Sequence, residues 1–370
     1  MTDPTADLLP EGLADRLPAA ASRATRAMRH MLDAMDAHGY DRVRPPLIEF
    51  EKSMATRMDG VQPRRMFRFV DPVSLRTLAL RSDITVQVGR IAATSLAAAP
   101  RPLRLCYAGE VAVIRADQLD PARQRLQIGA ELIGSNNVNA AAEIVSLAIE
   151  SALAAGAEDI SVDFTLPDLV DTLAAEAFPL APEQTAEVRR ELDAKDAGGL
   201  KAAGGESYLP LLYATGPFDQ AISQLAQLPA KGALDSRIDR LCQIASQINS
   251  QARITLDPTE RHGFEYQSWF GFTLYAGNVR GALGRGGTYA IRGAEEVATG
   301  FSLYIDALVD RQENGEAGRD TLFLPLGHDR SVAGRLRAIG WRTIAAIDST
   351  DTPSTSGCTH ILDGKDTVKI

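Results

Sequence analysis

The chain has 370 residues, 45% apolar and 24% charged, with a formal net charge of −9. This is enough for a large core and two or three folding units, while the lack of any run of about 18 apolar residues gives no membrane span. The acidic start MTDPTADLLPEG has neither part of a secretory leader, so a cytoplasmic chain is expected, and an acidic balance argues against nucleic acid as the main partner.

In chain order, residues 18–38 form one amphipathic helix, with Ala21, Ala24, Met28, Met31, Leu32 and Met35 at helical spacing and Gly39 as its stop. GYDRVRPPLIEF alternates, but Pro45 and Pro46 cannot donate to a ladder, so this strand is expected at an edge or an interface. A hairpin follows, MFRFV and RTLAL joined at residues 71–74, and Asp83 stands where its second strand passes into the helix ITVQVGRIAATSL. RPLRLCYAGEVAVIRAD and RQRLQIGAELIG are two further strands. NAAAEIVSLAIESALAAG is a helix with Asn137 or Asn139 at its start and Gly156 at its end. DISVDFT is a strand, and residues 166–250 then turn Ala/Leu-rich and helical, in the manner of an insertion. Strands resume at ARITLDP and ERHGFEYQSWFGFTLYAG, with a tight turn expected at Gly284, Gly286 and Gly287. GFSLYIDALV closes a core spanning residues 1–310. After a polar linker, residues 320–370 read as a small α/β unit. Strands and segregated helices of this kind imply an α+β protein with an antiparallel sheet flanked by helices.

Cys106, Cys242 and Cys358 are too far apart for a disulfide framework or a zinc spacing. The histidines at 30, 38, 262, 328 and 360 show no metal spacing, there is no nucleophile elbow, and GRGGTY lacks the strand-to-helix setting of a phosphate loop. No metal and no cofactor is therefore expected. What stands out is a set of polar residues on expected core strands: Asp83, Thr85, Gln127, Glu131, Glu265, Tyr266, Gln267 and Tyr289. Gln127 and Glu131, four apart on a strand, share one face. A carboxylate there costs several kcal/mol unless it is paired or hydrogen-bonded. Taken singly, each acid fits an internal network with Arg81 or Arg90. Taken together, they fit a pocket for a ligand with an ammonium or imidazolium group.

The ordered series GYDRVRPPLIEF, LALRSDIT, YAGEVAVIRADQLDPARQRLQIGAELIG, ERHGFEYQSWFGF, GRGGTY and GFSLYIDAL resembles the catalytic core of class II histidyl-tRNA synthetases over about residues 8–310. It is more similar still to the non-synthetase branch of that family, the regulatory subunits of ATP phosphoribosyltransferase. The resemblance implies a class II aminoacyl-tRNA synthetase-like fold and a dimer formed through the Pro45–Pro46 motif. It also implies a histidine-binding set of Asp83, Thr85, Gln127, Glu131, Tyr266 and Tyr289, with Arg115, His262, Glu265 and Trp269 as further candidates for the pocket wall. The motif-three arginine of the synthetases falls on Ala307. The motif-two arginine falls on Val113, or on Arg115 after a two-residue shift. His262 stands at another family arginine and Trp269 at a family glycine, where an indole narrows the pocket.

Adenylate formation needs fixed cations, so the resemblance points to a catalytically silent subunit. Its partner is the short catalytic chain of ATP phosphoribosyltransferase, in the first step of histidine biosynthesis, with histidine as effector. The alternatives are an active histidyl-tRNA synthetase or a free-standing amino-acid sensor. The C-terminal stretch is shorter than the family's tRNA-reading domain and has a single aromatic, Trp341, beyond Phe323, so tRNA is not the expected partner.

Overall fold

The computed structural model describes residues 8–55, 66–115, 121–248, 250–261, 267–292, 296–311 and 320–370. The chain divides into two compact units, Met1–Arg311 and Gln312–Ile370.

The first unit begins with helix α1 (Pro18–Ala37), whose Ala24, Ala27, Met31, Leu32 and Met35 form the buried stripe. Gly39, at φ +77°, takes the left-handed conformation that ends the helix. The proline segment does not make one strand. It divides into β1 (Asp41–Arg42) and β2 (Ile48–Phe50), each at the edge of a different sheet. With β3 (Arg68–Val70) and β4 (Thr77–Leu80), β2 forms a small three-stranded sheet. Its hairpin turn is held by Asp71, which accepts from Val73 N, Ser74 N and the Ser74 hydroxyl.

The large sheet takes β1, β5 (Leu103–Ala112), β6 (Gln124–Ile133), β7 (Ser161–Thr165), β8 (Gly216–Pro217), β9 (Arg253–Leu256), β10 (Gln267–Tyr275), β11 (Ala282–Ile291) and β12 (Glu296–Tyr304). Their order is β1-β5-β6-β12-β11-β10-β7-β9-β8. The sheet is antiparallel except at β1–β5 and β7–β9, which run parallel, so it is mixed where an antiparallel sheet was expected. A parallel pair needs a long crossover, and the helical stretch between β7 and β9 supplies one of these.

Alternation along the strands gives the sheet two unlike faces. Ile128, Ala130, Leu132, Phe164, Phe270, Phe272, Phe301 and Leu303 share one core with α1, α4 (Val138–Ala154) and α9 (Asp235–Ile248). Asn137 caps α4 by accepting from Asn139 N at 2.9 Å. At the centre of the sheet the intervening residues face the other way and are polar or glycine, whereas Leu105, Val111, Ile133, Ile291 and Ala298 form a second apolar core with Ile84, Val86 and Val88. Glu131 pairs in register with Gly300, Gly300 with Gly287, and Gly287 with Gly271, while Ser302 pairs with Arg285 and Arg285 with Thr273.

Gly284, Gly286 and Gly287 therefore do not mark a turn. They lie inside β11, where a side chain at 286 would strike the Phe272 ring and one at 284 the carbonyl of Ser302. Glycine here permits close strand approach.

Between β7 and β9 lie α5 (Leu169–Glu176), α6 (Pro182–Asp193), α7 (Ala197–Ala202), a 3₁₀ turn at Glu206–Leu212, α8 (Phe218–Ala226) and α9. The second unit is a four-stranded sheet, ordered β14 (Arg342–Ala345), β13 (Thr321–Leu324), β15 (His360–Asp363), β16 (Asp366–Lys369), with α11 (Arg330–Ala338) against it. Its Trp341 packs on that core, 4.9 Å from the His360 ring.

The sheet depends on aromatic packing across β7 and β10. Phe164 is fully buried, edge-on to Phe218 at 5.9 Å and to Phe270 at 5.4 Å. Phe164→Ala is expected to cost the first unit about 3–5 kcal/mol, read from urea denaturation. A loss below about 1 kcal/mol would contradict this packing.

Candidate functional site

The polar face of the sheet holds a small, partly open recess bordered by Thr85, Glu131, Gln267, Arg285, Tyr289 and Ser302. Glu131, 1% exposed, projects into it from β6. A Cβ at position 300 would collide with the Glu131 carboxylate, and a Cβ at 129 would collide with the Tyr107 ring and hydroxyl. The glycines thus make the space that the polar groups fill.

The groups around Glu131 form one network. Tyr289 OH donates to Oε2 at 2.7 Å and Tyr107 OH to Oε1 at 3.2 Å. The Tyr107 oxygen also lies 2.8 Å from Thr85 Oγ1 and 2.9 Å from Ser302 Oγ. Thr85 opens helix α3 (Thr85–Ala93), and its backbone N–H donates to Asp83 Oδ1 at 2.8 Å. Gln127 joins this turn to β6. Its Oε1 accepts from Ile84 N at 2.9 Å, which orients the amide so that Nε2 donates to Asp83 Oδ1 and Ser302 Oγ, both at 2.8 Å. Asp83, Thr85, Gln127, Glu131 and Tyr289 are thus brought together by the fold. Tyr107 and Ser302, which the sequence reading did not select, complete the set. Their signal was their register opposite Gly129.

Arg81 and Arg90 do not neutralise these acids. Arg81 donates to the carbonyls of Glu110 at 2.7 Å and Pro45 at 3.1 Å. Arg90 forks onto Glu49, with its shortest contact at 2.6 Å. Among the described residues no cation pairs with Asp83 or Glu131. Burial accordingly raises the Asp83 carboxyl above the ordinary aspartate range, against the opposing hydrogen bonds from Gln127 and Thr85. Burial likewise pushes Glu131 up to about 8, although Tyr289, Thr85 and Tyr107 oppose it. At neutral pH Glu131 is therefore held mainly as the neutral acid.

Several expected wall residues stand elsewhere. Trp269 does not narrow the recess. The ladder slips between Gln267 and Gly271, and the indole packs with the apolar core, 5.3 Å from the Phe270 ring and under the Arg240 guanidinium. Arg115 is exposed beyond the end of β5 and borders no recess described here. His262, Glu265 and Tyr266 lie outside the described residues. Ala307 is exposed in the first turn of the short helix α10 (Asp306–Arg311). Gln267 lines the recess and donates to Gly286 O at 2.7 Å. Arg285, which sequence reading missed, sits beside it. Among the described residues there is no cluster of His, Cys, Asp and Glu able to hold a metal, and no helix is long and apolar enough to cross a membrane.

A mixed sheet with one helix-covered face and a polar recess on the other is the architecture of class II synthetase-like proteins. Comparison with known proteins agrees. Residues 12–308 match the histidyl-tRNA synthetase family. The ATP phosphoribosyltransferase regulatory subunit of Rhodospirillum centenum is 38% identical, over 98% of this chain and 97% of that one. The protein so named from Paramagnetospirillum magneticum is 39% identical, over 96% of each. Among solved structures, an ATP phosphoribosyltransferase regulatory subunit/histidyl-tRNA synthetase from Bacillus halodurans superposes with a TM-score of 0.81 at 23% identity, covering 96% of this chain and 97% of the other. The histidyl-tRNA synthetase of Nostoc sp. shares the fold at a TM-score of 0.76 and 14% identity, covering 96% and 90%. The chain belongs to the ATP phosphoribosyltransferase regulatory subunit family, on the histidyl-tRNA synthetase fold.

The Glu131 carboxyl gives a pH-dependent signature. Its folded value of about 8 exceeds the ordinary 4.5, so the folded state holds the extra proton between these values. Its stabilising contribution is full below about pH 4.5 and is lost as pH rises through about 8, at up to ~1.4 kcal/mol per pH unit. Glu131→Gln, which cannot ionise, is expected to melt progressively higher than the unaltered chain as pH goes from 5 to 8.5. A melting difference that does not change with pH would refute the buried, cation-free carboxyl.

Proposed function

We propose that this chain is a non-catalytic regulatory subunit of ATP phosphoribosyltransferase. It dimerises, joins the short catalytic chain that condenses ATP with phosphoribosyl pyrophosphate, and takes histidine as feedback ligand in the Glu131 recess. The observation that carries the ligand assignment is a pair of carboxyls, Asp83 and Glu131, held by neutral donors with no described cation between them. A bound ammonium would supply the opposite charge that lets these carboxyls ionise. In this reading Asp83 and Glu131 meet the ammonium, Gln127 and Tyr266 orient the ligand, and Tyr289 closes over it.

Silence in adenylate chemistry is supported by Ala307, a methyl group where the synthetases of this fold place a guanidinium. Developing negative charge on a nucleotide needs a preorganised cation. The second unit offers its one tryptophan to its own core, leaving no indole to stack on bases. Self-association is supported by the small sheet, where Val70, Val73 and Leu75 stand exposed at the hairpin.

Feedback follows from differential binding. Histidine shifts the complex only as far as it prefers one conformation. The recess is wired to the proline segment, since Arg81 and Gln87 donate to the carbonyls of Pro45 and Pro46. Ligand-induced movement of α3 would thus reach the edge assigned to the subunit contact.

Mixing the purified chain with a short catalytic chain is expected to give a stable complex with raised phosphoribosyl-ATP formation. Absence of both would reject the regulatory assignment. Histidine-dependent exchange of pyrophosphate into ATP by this chain alone would reject its catalytic silence. Within the complex, Glu131→Gln is expected to move the midpoint of histidine inhibition upward at least about tenfold, a loss of ~1.4 kcal/mol. An unmoved midpoint would place histidine elsewhere, such as the interface with the catalytic chain.

A further inference from the structure

A second, partly open recess lies between α5, α6 and the 257–261 segment. Its walls are apolar: Leu166, Leu169 and Leu192 are each 1% exposed, with Pro167 and Pro258 beside them. Two guanidinium-bearing residues, Arg189 of α6 and Arg261, line the same space. Arg189 engages Asp171 through Nη2, yet its Nε–H is shielded from solvent and has no acceptor. A buried donor left without a partner costs about 1–3 kcal/mol, more when charged, and calls for an explanation such as a bound ion.

The backbone that carries Arg261 is held on both sides. Its N–H donates to Asp193 Oδ1 at 3.2 Å, and Thr165 Oγ1 donates to the carbonyl of Glu260. Lys195 anchors the same segment, its Nζ lying 2.6 Å from both Asp257 Oδ1 and Thr259 Oγ1. It does so from the left-handed region, at φ +57°, a conformation that costs a non-glycine residue and persists only where surrounding contacts enforce it. The recess is therefore preformed rather than a gap between mobile side chains.

We propose that this recess is a binding site for a small oxyanion carried on an apolar body, a carboxylate or a phosphate monoester, held by Arg189 and Arg261. Two oxygens on one anion match the planar donor fork of a guanidinium, which binds such groups in pairs of parallel hydrogen bonds. The Arg189 Nε–H gains its acceptor. The charge of the anion also offsets the two pressures that lower the Arg189 pKa, which are burial first and then the nearby charge of Arg261. The apolar walls accept the body of the ligand and exclude water, which strengthens the ionic contact. This site does not depend on the histidine reading, because none of its lining residues borders the Glu131 recess.

Calorimetric titration of the full chain at constant ionic strength tests it, with phenyl phosphate in one arm and benzoate in the other. Saturable binding of at least one probe is expected, with a rise in melting temperature of about 2 °C at saturation. The arm that binds tighter identifies the anion as phosphate or carboxylate. Arg189→Lys keeps the charge but loses the fork, and is expected to weaken binding at least about tenfold. Arg261→Lys is expected to do the same, so that one variant decides if the other fails to fold. No saturable heat from either probe up to about 10 mM overturns the proposal. So does binding that either folded variant retains in full.

Discussion

Glu131 projects from β6 into space that Gly300 leaves vacant, and receives hydrogen bonds from Tyr107 and Tyr289. An uncompensated carboxylate in that position would be costly, so the fold keeps the group largely protonated and surrounds it with hydroxyls. Much of the surrounding structure follows from that requirement. Gly129 must be bare to admit Tyr107, Gln127 must be turned to serve Asp83, and α3 must begin at Thr85 so that its first turn reaches the same cluster.

The two faces of the sheet divide the work. Phenylalanines and aliphatics on one face hold the strands against α1, α4 and α9, while the opposite face carries a smaller apolar core with α3 beside the polar cluster. Five strands and α3 contribute to one small polar cluster, so a displacement of any one of them alters it. This suits a sensor better than a rigid binding slot. A ligand that draws the carboxyls together would pull on α3, and through Arg81 and Gln87 on the proline segment.

The helices between β7 and β9 are more than packing material. Asp193 and Lys195, at the end of α6, hold the 257–261 segment, and α6 supplies Arg189 to the second recess. The same crossover that makes the β7–β9 pair parallel therefore lines that recess. An anion bound there and an amino acid bound at Glu131 would be separated by a third recess. That recess shares Arg261 and Pro167 with the Arg189 recess and Gln267 and Arg285 with the Glu131 recess.

Local pattern carried much of this architecture. Helical spacing and a terminal glycine marked α1, an asparagine cap and Gly156 marked α4, and the four-residue step from Gln127 to Glu131 already placed both on one face. Those features depend on neighbours in the chain, which is why they can be read from it. The glycines of β11 were misread because a turn and a close strand approach ask the same thing of a residue, and only the Phe272 ring and the Ser302 carbonyl distinguish them. Trp269 was placed in the pocket by counting along the chain, whereas a slip in the ladder turns it to the core. Tyr107, Ser302 and Arg285 belong to the site through their positions across the sheet. Arg81 and Arg90 are excluded from it because Pro45 and Glu49 take their donors. The sequence by itself determined the elements, the polar strand positions and the family resemblance. Cross-strand register, decided only when distant strands meet, selected which of those polar groups share one buried space.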